Sequence, residues 1–206
     1  MTALSLRAAA VAVLAYLLGS MSGAIIVSRL FCGRDVREMG SGNAGLTNFY
    51  RCFGARWMLP VLLIDLGKGM AAVWCGEKIF AAAGGPALGQ ALGMLFVILG
   101  HMYPVFFHFR GGKGVLTGVG ALFMLDWRLA LLQLGLFFLV LLLSRYVSLA
   151  SVLAAGTMPL AAWLRGHETL MLVFLTLCAG MVVYLHRGNI SRLLRGCERK
   201  FEINKH

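Results

Sequence analysis

Charged residues are scarce in this chain of 206 residues and make up only 13% of it, whereas hydrophobic residues make up 60%. Soluble domains typically contain about 25% charged and about 45–50% apolar residues. Acidic residues are the scarcer charged type, with 8 Asp and Glu against 19 Lys and Arg. This composition excludes an ordinary soluble domain and a disordered chain. The mean hydropathy of +0.83 is typical of a polytopic membrane protein.

Metal-ligand patterns are also absent from the sequence. The five cysteines are dispersed and no two form a CxxC pair, so neither a disulfide framework nor a zinc site is expected. Asp35 and Asp65 are too few and too far apart in the sequence to suggest another metal site. We therefore predict no metal and no cofactor, and we expect no nucleic-acid partner.

Strict alternation of apolar and polar residues is missing as well, which argues against a β-barrel and leaves helices as the membrane-spanning structure. Apolar runs cover Ala8–Leu30, Trp57–Cys75, Pro86–Gly100, Val115–Leu125, Leu129–Leu143, Val147–Leu164 and Thr169–Leu185. One helix over 115–143 would be about 43 Å long, longer than the roughly 30 Å hydrocarbon core. The sequence predicts an all-α polytopic membrane protein of about seven transmembrane helices, in one domain of residues 1–206.

The short segments that connect these runs, called joints here, carry unequal numbers of basic residues on alternate sides of the membrane. With the N-terminus outside, thirteen stand in the inner joints: Arg34, Arg37, Arg51, Arg56, Arg110, Lys113, Arg145, Arg187, Arg192, Arg195, Arg199, Lys200 and Lys205. The outer joints hold four: Arg7, Lys78, Arg128 and Arg165. The positive-inside rule then predicts a periplasmic N-terminus and a cytoplasmic C-terminus. We expect a retained first span, although a cleaved signal peptide would also fit its residues.

A glycine-rich joint between the first two runs reads GSGNAGLTNFYR over 40–51. Its glycines match GxGxxG, but a dinucleotide site needs a preceding strand, and an apolar helix precedes this joint. Glycines let successive N–H groups face an anion, and arginine can bind phosphate through two hydrogen bonds. We predict phosphate binding, with a structural turn as the alternative. The candidate residues are Ser41, Gly42, Asn43, Gly45, Thr47, Asn48 and Arg51.

Charged residues within or beside the other runs are further candidates, because charges in a span mark functional sites by default. Asp65 and Lys68 share a helix face and can pair, and Lys68 can also reach a phosphate. Gly112 and Lys113 precede the fourth run, where a helix N-terminus favours anions. His101 is either a substrate contact or a packed, capping histidine.

The last candidates stand near the C-terminal runs. His186 and Asn189 are one helical turn apart and share a face. Ser148 is either a substrate contact or bonds back to the preceding turn. Seven spans place all these polar groups on the cytoplasmic side, so the sequence predicts a single cytoplasm-facing pocket for phosphate-bearing substrates.

The conjunction of these motifs resembles the bacterial acyl-phosphate-dependent glycerol-3-phosphate acyltransferases. The matching segments are GSGNAGLTNFYRCFG (Gly40–Gly54), DLGKG (Asp65–Gly69), GH (Gly100-His101), FRGGKGVLT (Phe109–Thr117), SRYVSLAS (Ser144–Ser151) and HRGNISRLLRGCE (His186–Glu198). Two departures, Ser22 where the family often has Pro and Leu116 where Ala is usual, remove no polar group.

This resemblance implies a seven-helix enzyme of the bacterial inner membrane, with its active site facing the cytoplasm. The implied reaction moves a fatty acyl group from acyl phosphate to the 1-hydroxyl of sn-glycerol 3-phosphate. It gives 1-acyl-sn-glycerol 3-phosphate (lysophosphatidic acid) and phosphate, the first step of phospholipid biosynthesis. The implied partners are membrane lipid and, by functional coupling, a soluble phosphate acyltransferase that makes acyl phosphate.

Acyl phosphate is an activated mixed anhydride, so the reaction needs no covalent nucleophile. The chain also lacks the HxxxxD motif of other glycerolipid acyltransferases, since Phe106 and Ser191 stand where His101 and His186 would need Asp. We expect catalysis by positioning and electrostatics. The glycerol hydroxyl would lose its proton to the departing phosphate, with His186 or His101 as general base the alternative.

In this hypothesis the catalytic residues are His186, Asn189, Lys113 and Arg51, and Lys68 and Ser148 complete a second phosphate pocket. A transporter or channel for a phosphorylated anion is the alternative function, because it also explains intramembrane charge. It predicts polar groups along a path through the membrane, whereas the outer joints are short and nearly bare of them.

Overall fold

The computed structural model describes residues 2–202, which form ten α-helices and contain no strand. The helices are α1 (Ala3–Ser20), α2 (Gly23–Cys32), α3 (Leu46–Phe53), α4 (Met58–Ala81), α5 (Pro86–Met102), α6 (Val115–Leu125), α7 (Trp127–Ser144), α8 (Val147–Leu164), α9 (Thr169–Leu185) and α10 (Arg187–Leu194). These helices belong to two compact units, divided between Leu125 and Asp126. That residues 1–206 act as one domain stays a prediction.

Five helical segments within residues 2–202 are long and apolar enough to cross a membrane. They are Ala3–Cys32, Met58–Ala81, Pro86–Phe107, Trp127–Ser144 and Val147–Leu164, and the bent pair α9 and α10 is a sixth candidate. Helix α6 is apolar but has 11 residues, about 16 Å at the usual rise. The predicted all-α class is confirmed for the described residues, whereas seven spans stay a prediction.

Several helices coincide with the apolar runs of the sequence. The runs Val115–Leu125, Val147–Leu164 and Thr169–Leu185 are helices α6, α8 and α9 to the residue. The predicted break between the fourth and fifth runs is confirmed at Asp126. Its carboxylate accepts hydrogen bonds from the backbone N–H groups of Arg128 (3.0 Å) and Leu129 (3.2 Å), which caps the N-terminus of α7.

The first apolar run is two helices rather than one, because the chain leaves helical geometry at Met21 and Ser22. The backbone groups freed there find charged partners on α4. The Gly23 N–H donates to the Asp65 carboxylate at 3.1 Å, and the Met21 carbonyl accepts from the Lys68 ammonium at 3.0 Å. A buried ion pair therefore replaces the missing helical hydrogen bonds, which apolar surroundings would otherwise leave unsatisfied.

Close helix contacts in the first unit depend on glycine. A methyl group on Gly76 of α4 would overlap the carbonyl oxygen of Gly89 on α5, and the reverse also holds. Gly120 of α6 lies equally close to the Leu66 carbonyl of α4. Small residues of this kind let helix backbones approach in membranes. Helix α4 therefore packs tightly against both α5 and α6, which brings its charged residues beside His101.

In the second unit, helix α8 contacts both α7 and α9, and the short α10 returns to contact α8. The bend between α9 and α10 measures 56° and falls at His186. This return brings residues that follow α10 back to the N-terminal end of α8, where Ser148 lies.

Candidate active site

Three ionisable side chains meet in the interior of the first unit: Asp65 and Lys68 from α4, and His101 from α5. The Lys68 ammonium lies 2.7 Å from Asp65 Oδ1, 2.9 Å from His101 Nδ1 and 3.0 Å from the Met21 carbonyl oxygen. All three residues are at most 6% exposed. An ammonium has three N–H donors, so each donor of Lys68 has an acceptor within the protein.

The position of Lys68 sets the tautomer of His101. As an ammonium beside the Asp65 carboxylate, Lys68 can only donate, so His101 Nδ1 then accepts and the ring proton lies on Nε2. That nitrogen faces Gly112, because a methyl group on Gly112 would overlap His101 Nε2. His101 therefore presents a neutral N–H donor toward the second glycine-rich loop, rather than a basic nitrogen.

The second glycine-rich loop, defined here as 110–114, is pinned to the end of α5. The Gly111 N–H donates to the Met102 carbonyl (3.2 Å) and the Gly112 N–H to the His101 carbonyl (3.1 Å). Gly114 has φ +83°, a left-handed conformation that glycine adopts without strain. Lys113 is half-buried one residue earlier. The loop thus places the side chain of Lys113, a flexible cation, close to the N-terminus of α6.

The first glycine-rich loop, defined here as 40–45, is held by the buried side chain of Asn48. Its amide N–H₂ donates to the carbonyls of Val36 (3.0 Å) and Met39 (3.1 Å). Its carbonyl oxygen accepts from the Ser41 N–H (2.8 Å). Gly40 has φ +62°, and a methyl group there would overlap the Asn48 oxygen. The side chain of Asn48 therefore shapes the loop.

The other predicted residues of this region lie in the first loop or in α3, which follows it. Ser41 and Gly42 are exposed, whereas Asn43, Gly45 and Thr47 are half-buried. Arg51 is half-buried near the end of α3.

The two glycine-rich loops approach each other at Ala44 and Gly112. A methyl group on Gly112 would lie only 2.6 Å from the Ala44 carbonyl oxygen. The first unit therefore brings together the first loop, the second loop and His101.

The second unit contains a cluster around Glu198, which the sequence did not single out. The Ser148 hydroxyl (2.8 Å) and the Asn189 amide (2.6 Å) both donate to Glu198 Oε1, and Arg192 Nε donates to Oε2 (2.7 Å). Burial opposes ionisation of Glu198, but these bonds outweigh it and hold its pKa below the usual range. The signal available in the sequence was a lone acid among Arg192, Arg195 and Arg199.

His186 has a defined orientation at the bend between α9 and α10. Its Nδ1 lies 2.8 Å from the Val182 carbonyl oxygen, which can only accept, so Nδ1 bears a proton. In the neutral ring, Nε2 then carries the lone pair. His186 and His101 are consequently held in opposite tautomers, His186 with an accepting Nε2 and His101 with a donating Nε2.

The described chain is thus a helical protein of the membrane type, with a buried ion-paired cluster beside two glycine-rich loops. Within residues 2–202, no group of three His, Cys, Asp or Glu side chains could hold a metal ion.

The family model for glycerol-3-phosphate acyltransferase matches residues 9–196 of the chain. A glycerol-3-phosphate acyltransferase of Pseudomonas entomophila (strain L48) is 44% identical over 92% of this chain and 97% of its own length.

Two crystal structures of PlsY (YgiH), an integral membrane glycerol 3-phosphate acyltransferase, have the same fold. Its glycerol 3-phosphate form matches with a TM-score of 0.87 and 35% identity, over 95% of this chain and 96% of that chain. Its lysophosphatidic acid form matches with a TM-score of 0.84 and 33% identity over the same shares. The chain belongs to the glycerol-3-phosphate acyltransferase family and is an integral membrane protein.

Proposed function

We propose that this protein transfers a fatty acyl group from acyl phosphate to the 1-hydroxyl of sn-glycerol 3-phosphate. The products are lysophosphatidic acid and inorganic phosphate. The observation that carries the proposal is the likeness to solved PlsY structures, one in a glycerol 3-phosphate form and one in a lysophosphatidic acid form. The meeting of two glycine-rich loops beside a histidine donor supports it, because both substrates are phosphate esters or anhydrides.

The chemistry requires one bond to form and one to break. The glycerol oxygen attacks the acyl carbonyl carbon, the bond from that carbon to the phosphate oxygen breaks, and the hydroxyl proton goes to the departing phosphate. Lys113 and Arg51 would neutralise phosphate charge. The N–H groups of Ser41, Gly42, Gly45, Gly111 and Gly112 donate to acceptors within the protein, so the charge falls to these two side chains rather than to the loop backbone that the sequence had suggested. The Nε2 proton of His101 would stabilise the developing oxyanion.

The contacts suggest supporting roles for two residues that we expected to bind phosphate. Lys68 directs its donors to Asp65, His101 and Met21, and we propose that it orients His101. Asn48 would act by holding the first loop. The substrate contacts predicted for Ser148, His186 and Asn189 stay predictions, and general-base catalysis by His186 remains the alternative to proton transfer to phosphate. Near-complete loss in His186→Gln, with loss of the near-neutral limb of kcat against pH, would support the base.

We further propose seven spans in the bacterial inner membrane, with the N-terminus in the periplasm and both glycine-rich loops facing the cytoplasm. The excess of basic residues in the inner joints supports this orientation. The test uses single cysteines at the exposed positions Arg34 and Arg110 in a cysteine-free protein, labelled in intact cells and in inverted vesicles. Periplasmic labelling at either position would contradict the orientation.

Purified protein in detergent, given acyl phosphate and glycerol 3-phosphate, should release phosphate and form lysophosphatidic acid. Lys113→Ala should lose most of this activity, whereas Lys78→Ala, at an exposed position in the last turn of α4, should retain it. Absence of turnover together with flux of glycerol 3-phosphate into sealed vesicles would favour the transporter. Activity with acyl phosphate but not with acyl thioesters would support the proposed donor, and coupling to a soluble acyl-phosphate-forming enzyme.

A further inference from the structure

An arginine that the proposed mechanism does not use connects the turn before the first glycine-rich loop to the start of the second glycine-rich loop. Arg37, in the short 3₁₀ turn Val36–Glu38, directs its Nη1 to the carbonyl oxygens of Phe107 (2.8 Å) and Arg110 (3.0 Å). These acceptors lie 70 and 73 residues further along the chain. Phe107 belongs to the segment that leads into the second loop, and Arg110 is the first residue of that loop. The side chain of Arg37 is only 15% exposed.

Asp35 fixes the guanidinium of Arg37 in this position. Arg37 Nε lies 3.0 Å from Asp35 Oδ1 and Nη2 lies 2.8 Å from Oδ2. The Arg37 N–H also donates to Asp35 Oδ1 at 2.9 Å. The bonds from Arg37 hold the pKa of Asp35 well below its usual range. The carboxylate therefore stays ionised at neutral pH and leaves the Nη1 donors of Arg37 directed at the two carbonyls.

The two carbonyls bracket an unfavourable turn. Among residues 2–202, only three non-glycine residues have a positive φ, and two of them are the neighbours His108 (+56°) and Phe109 (+57°). Side chains disfavour this left-handed conformation because the Cβ atom crowds the backbone carbonyl. Both residues are exposed, so burial of their side chains offers little compensation. The turn has two backbone hydrogen bonds of its own, from the Phe109 N–H to the Pro104 carbonyl (3.0 Å) and from the Arg110 N–H to the Phe107 carbonyl (3.3 Å). The guanidinium of Arg37 adds one bond on each side of the turn.

The turn decides where the second loop begins. Immediately after it, Gly111 and Gly112 pair with the last carbonyls of α5, and Lys113 follows. We propose that Arg37, oriented by Asp35, is a positioning residue that holds the turn at His108 and Phe109 in its strained form and so places Lys113 for catalysis. The catalytic part of this inference rests on the proposed function.

Arg29 provides a matched control for the loss of an arginine. It also pairs with Asp35, at 2.8 Å, and its guanidinium lies 5.7 Å from the ring centroid of Phe107. It has no hydrogen bond to the backbone of 105–110. Arg29→Ala therefore removes the same charge from the same region but leaves the bridge in place.

The first experiment compares Arg37→Ala, Arg37→Lys and Arg29→Ala in the acyl-transfer assay. Arg37→Ala should lower kcat/KM about 100-fold, the size expected when a catalytic group is misplaced by about 1 Å. Arg37→Lys should fail similarly, because one ammonium cannot reproduce the planar fork between the two carbonyls and the carboxylate. Full activity in Arg37→Lys, or equal activities in Arg37→Ala and Arg29→Ala, would overturn the proposal.

The second experiment is a rescue. Glycine adopts a positive φ without penalty. Adding His108→Gly and Phe109→Gly to Arg37→Ala should therefore raise kcat/KM at least about tenfold above that of Arg37→Ala alone. The same glycine pair should change the wild-type enzyme little. If the Arg37→Ala protein is folded and the glycine pair recovers nothing, strain in this turn is not what Arg37 controls.

A readout independent of activity separates this inference from the proposed function. Hydrogen–deuterium exchange of residues 105–114 in detergent should accelerate in Arg37→Ala and stay at the wild-type rate in Arg29→Ala. An inactive wild type with this exchange pattern would refute the proposed function and leave the structural clamp standing. Unchanged exchange in Arg37→Ala would refute the clamp, whatever the activity.

Discussion

Lys68 Nζ lies 2.9 Å from His101 Nδ1, between α4 and α5. As an ammonium Lys68 can only donate in this contact, which leaves Nε2 as the protonated nitrogen of the ring. Asp65 completes the cluster at 2.7 Å from Lys68. This arrangement makes His101 a hydrogen-bond donor toward Gly112, and it disfavours a basic role, because a protonated ring would place two N–H donors against each other.

Variants of His101 can test whether this residue acts as a hydrogen-bond donor or as a general base. Glutamine reaches the position of Nε2 with an N–H donor, whereas the shorter asparagine does not. We expect His101→Gln to retain activity within about tenfold and His101→Asn to lose about 100-fold, the scale of one oxyanion donor. The measurement is kcat against pH for both variants. A His101→Gln enzyme with strongly reduced kcat, whose plot of kcat against pH has lost its near-neutral limb, would instead indicate a general base.

Gly112 should tolerate no side chain. In Gly112→Ala the added methyl group would overlap His101 Nε2 and crowd the Ala44 carbonyl, so one of the two glycine-rich loops must shift. We expect kcat/KM to fall about 100-fold, as for other small displacements near reacting groups. Gly135→Ala is the control, because a methyl group at Gly135 meets no atom within 4 Å. Equal activities of the two variants would contradict the close packing of loop and histidine.

Glu198 should stabilise its unit in a pH-dependent manner. Its pKa is lowered from 4.5, so the stabilisation is fully present above that pH and is lost as the pH falls through the lowered pKa. Glu198→Gln should cost about 1–3 kcal/mol at pH 7, because hydrogen bonds to a charged acceptor are weakened. The difference in Tm between wild type and variant, in detergent, should narrow as the pH falls below 4.5 and through the lowered pKa of Glu198.

The exposed Glu202 provides the control for Glu198. Glu202→Gln should leave Tm unchanged, both at pH 7 and at the acidic pH where the effect of Glu198→Gln narrows. A Glu198→Gln protein with the wild-type Tm at pH 7 would show that the carboxylate does not hold Ser148, Asn189 and Arg192 together.

Asp126 should stabilise the start of α7 both as a cap and as an ion. Burial opposes its ionisation, but bonds from Arg165, His167 and the α7 backbone lower its pKa to about 2. Asp126→Ala should cost about 1 kcal/mol for the lost cap, and Asp126→Asn less, since asparagine also caps. In the wild type, the ionised Asp126 should contribute its full stabilisation, measured as Tm, above its usual pKa of 3.8. That stabilisation should be lost as the pH falls toward 2. Equal Tm values for the alanine variant and wild type at pH 7 would contradict the cap.

Much of the helical structure could be predicted because hydropathy is a local property. The ends of α6 and α8 follow from where apolar residues stop and polar residues begin. The interruption at Met21 and Ser22 could not be predicted in the same way, because its cause lies on another helix. Lys68 and Asp65, more than forty residues away, supply the hydrogen bonds that make the interruption stable.

The candidate site shows the same division. The glycine spacing and the position of Lys113 before a helix predict an anion-binding loop, and this anion binding stays a prediction. The partners of the polar side chains were not predictable, and Asn48 and Lys68 are examples. Each has hydrogen-bonding groups that suit a phosphate, yet in the fold their donors are directed to backbone carbonyls or neighbouring side chains.

The sequence by itself determined that this protein is a helical membrane protein, where several of its helices begin and end, and which chemical groups its loops carry. Only the tertiary structure decided which of those groups bond to one another and hold the glycine-rich loops in place. The reason is physical: burial preference is a property of each residue and its neighbours in sequence. The partner of a hydrogen bond depends on a distance of about 3 Å in space, and residues as far apart as Arg37 and Phe107 reach that distance only when the helices pack.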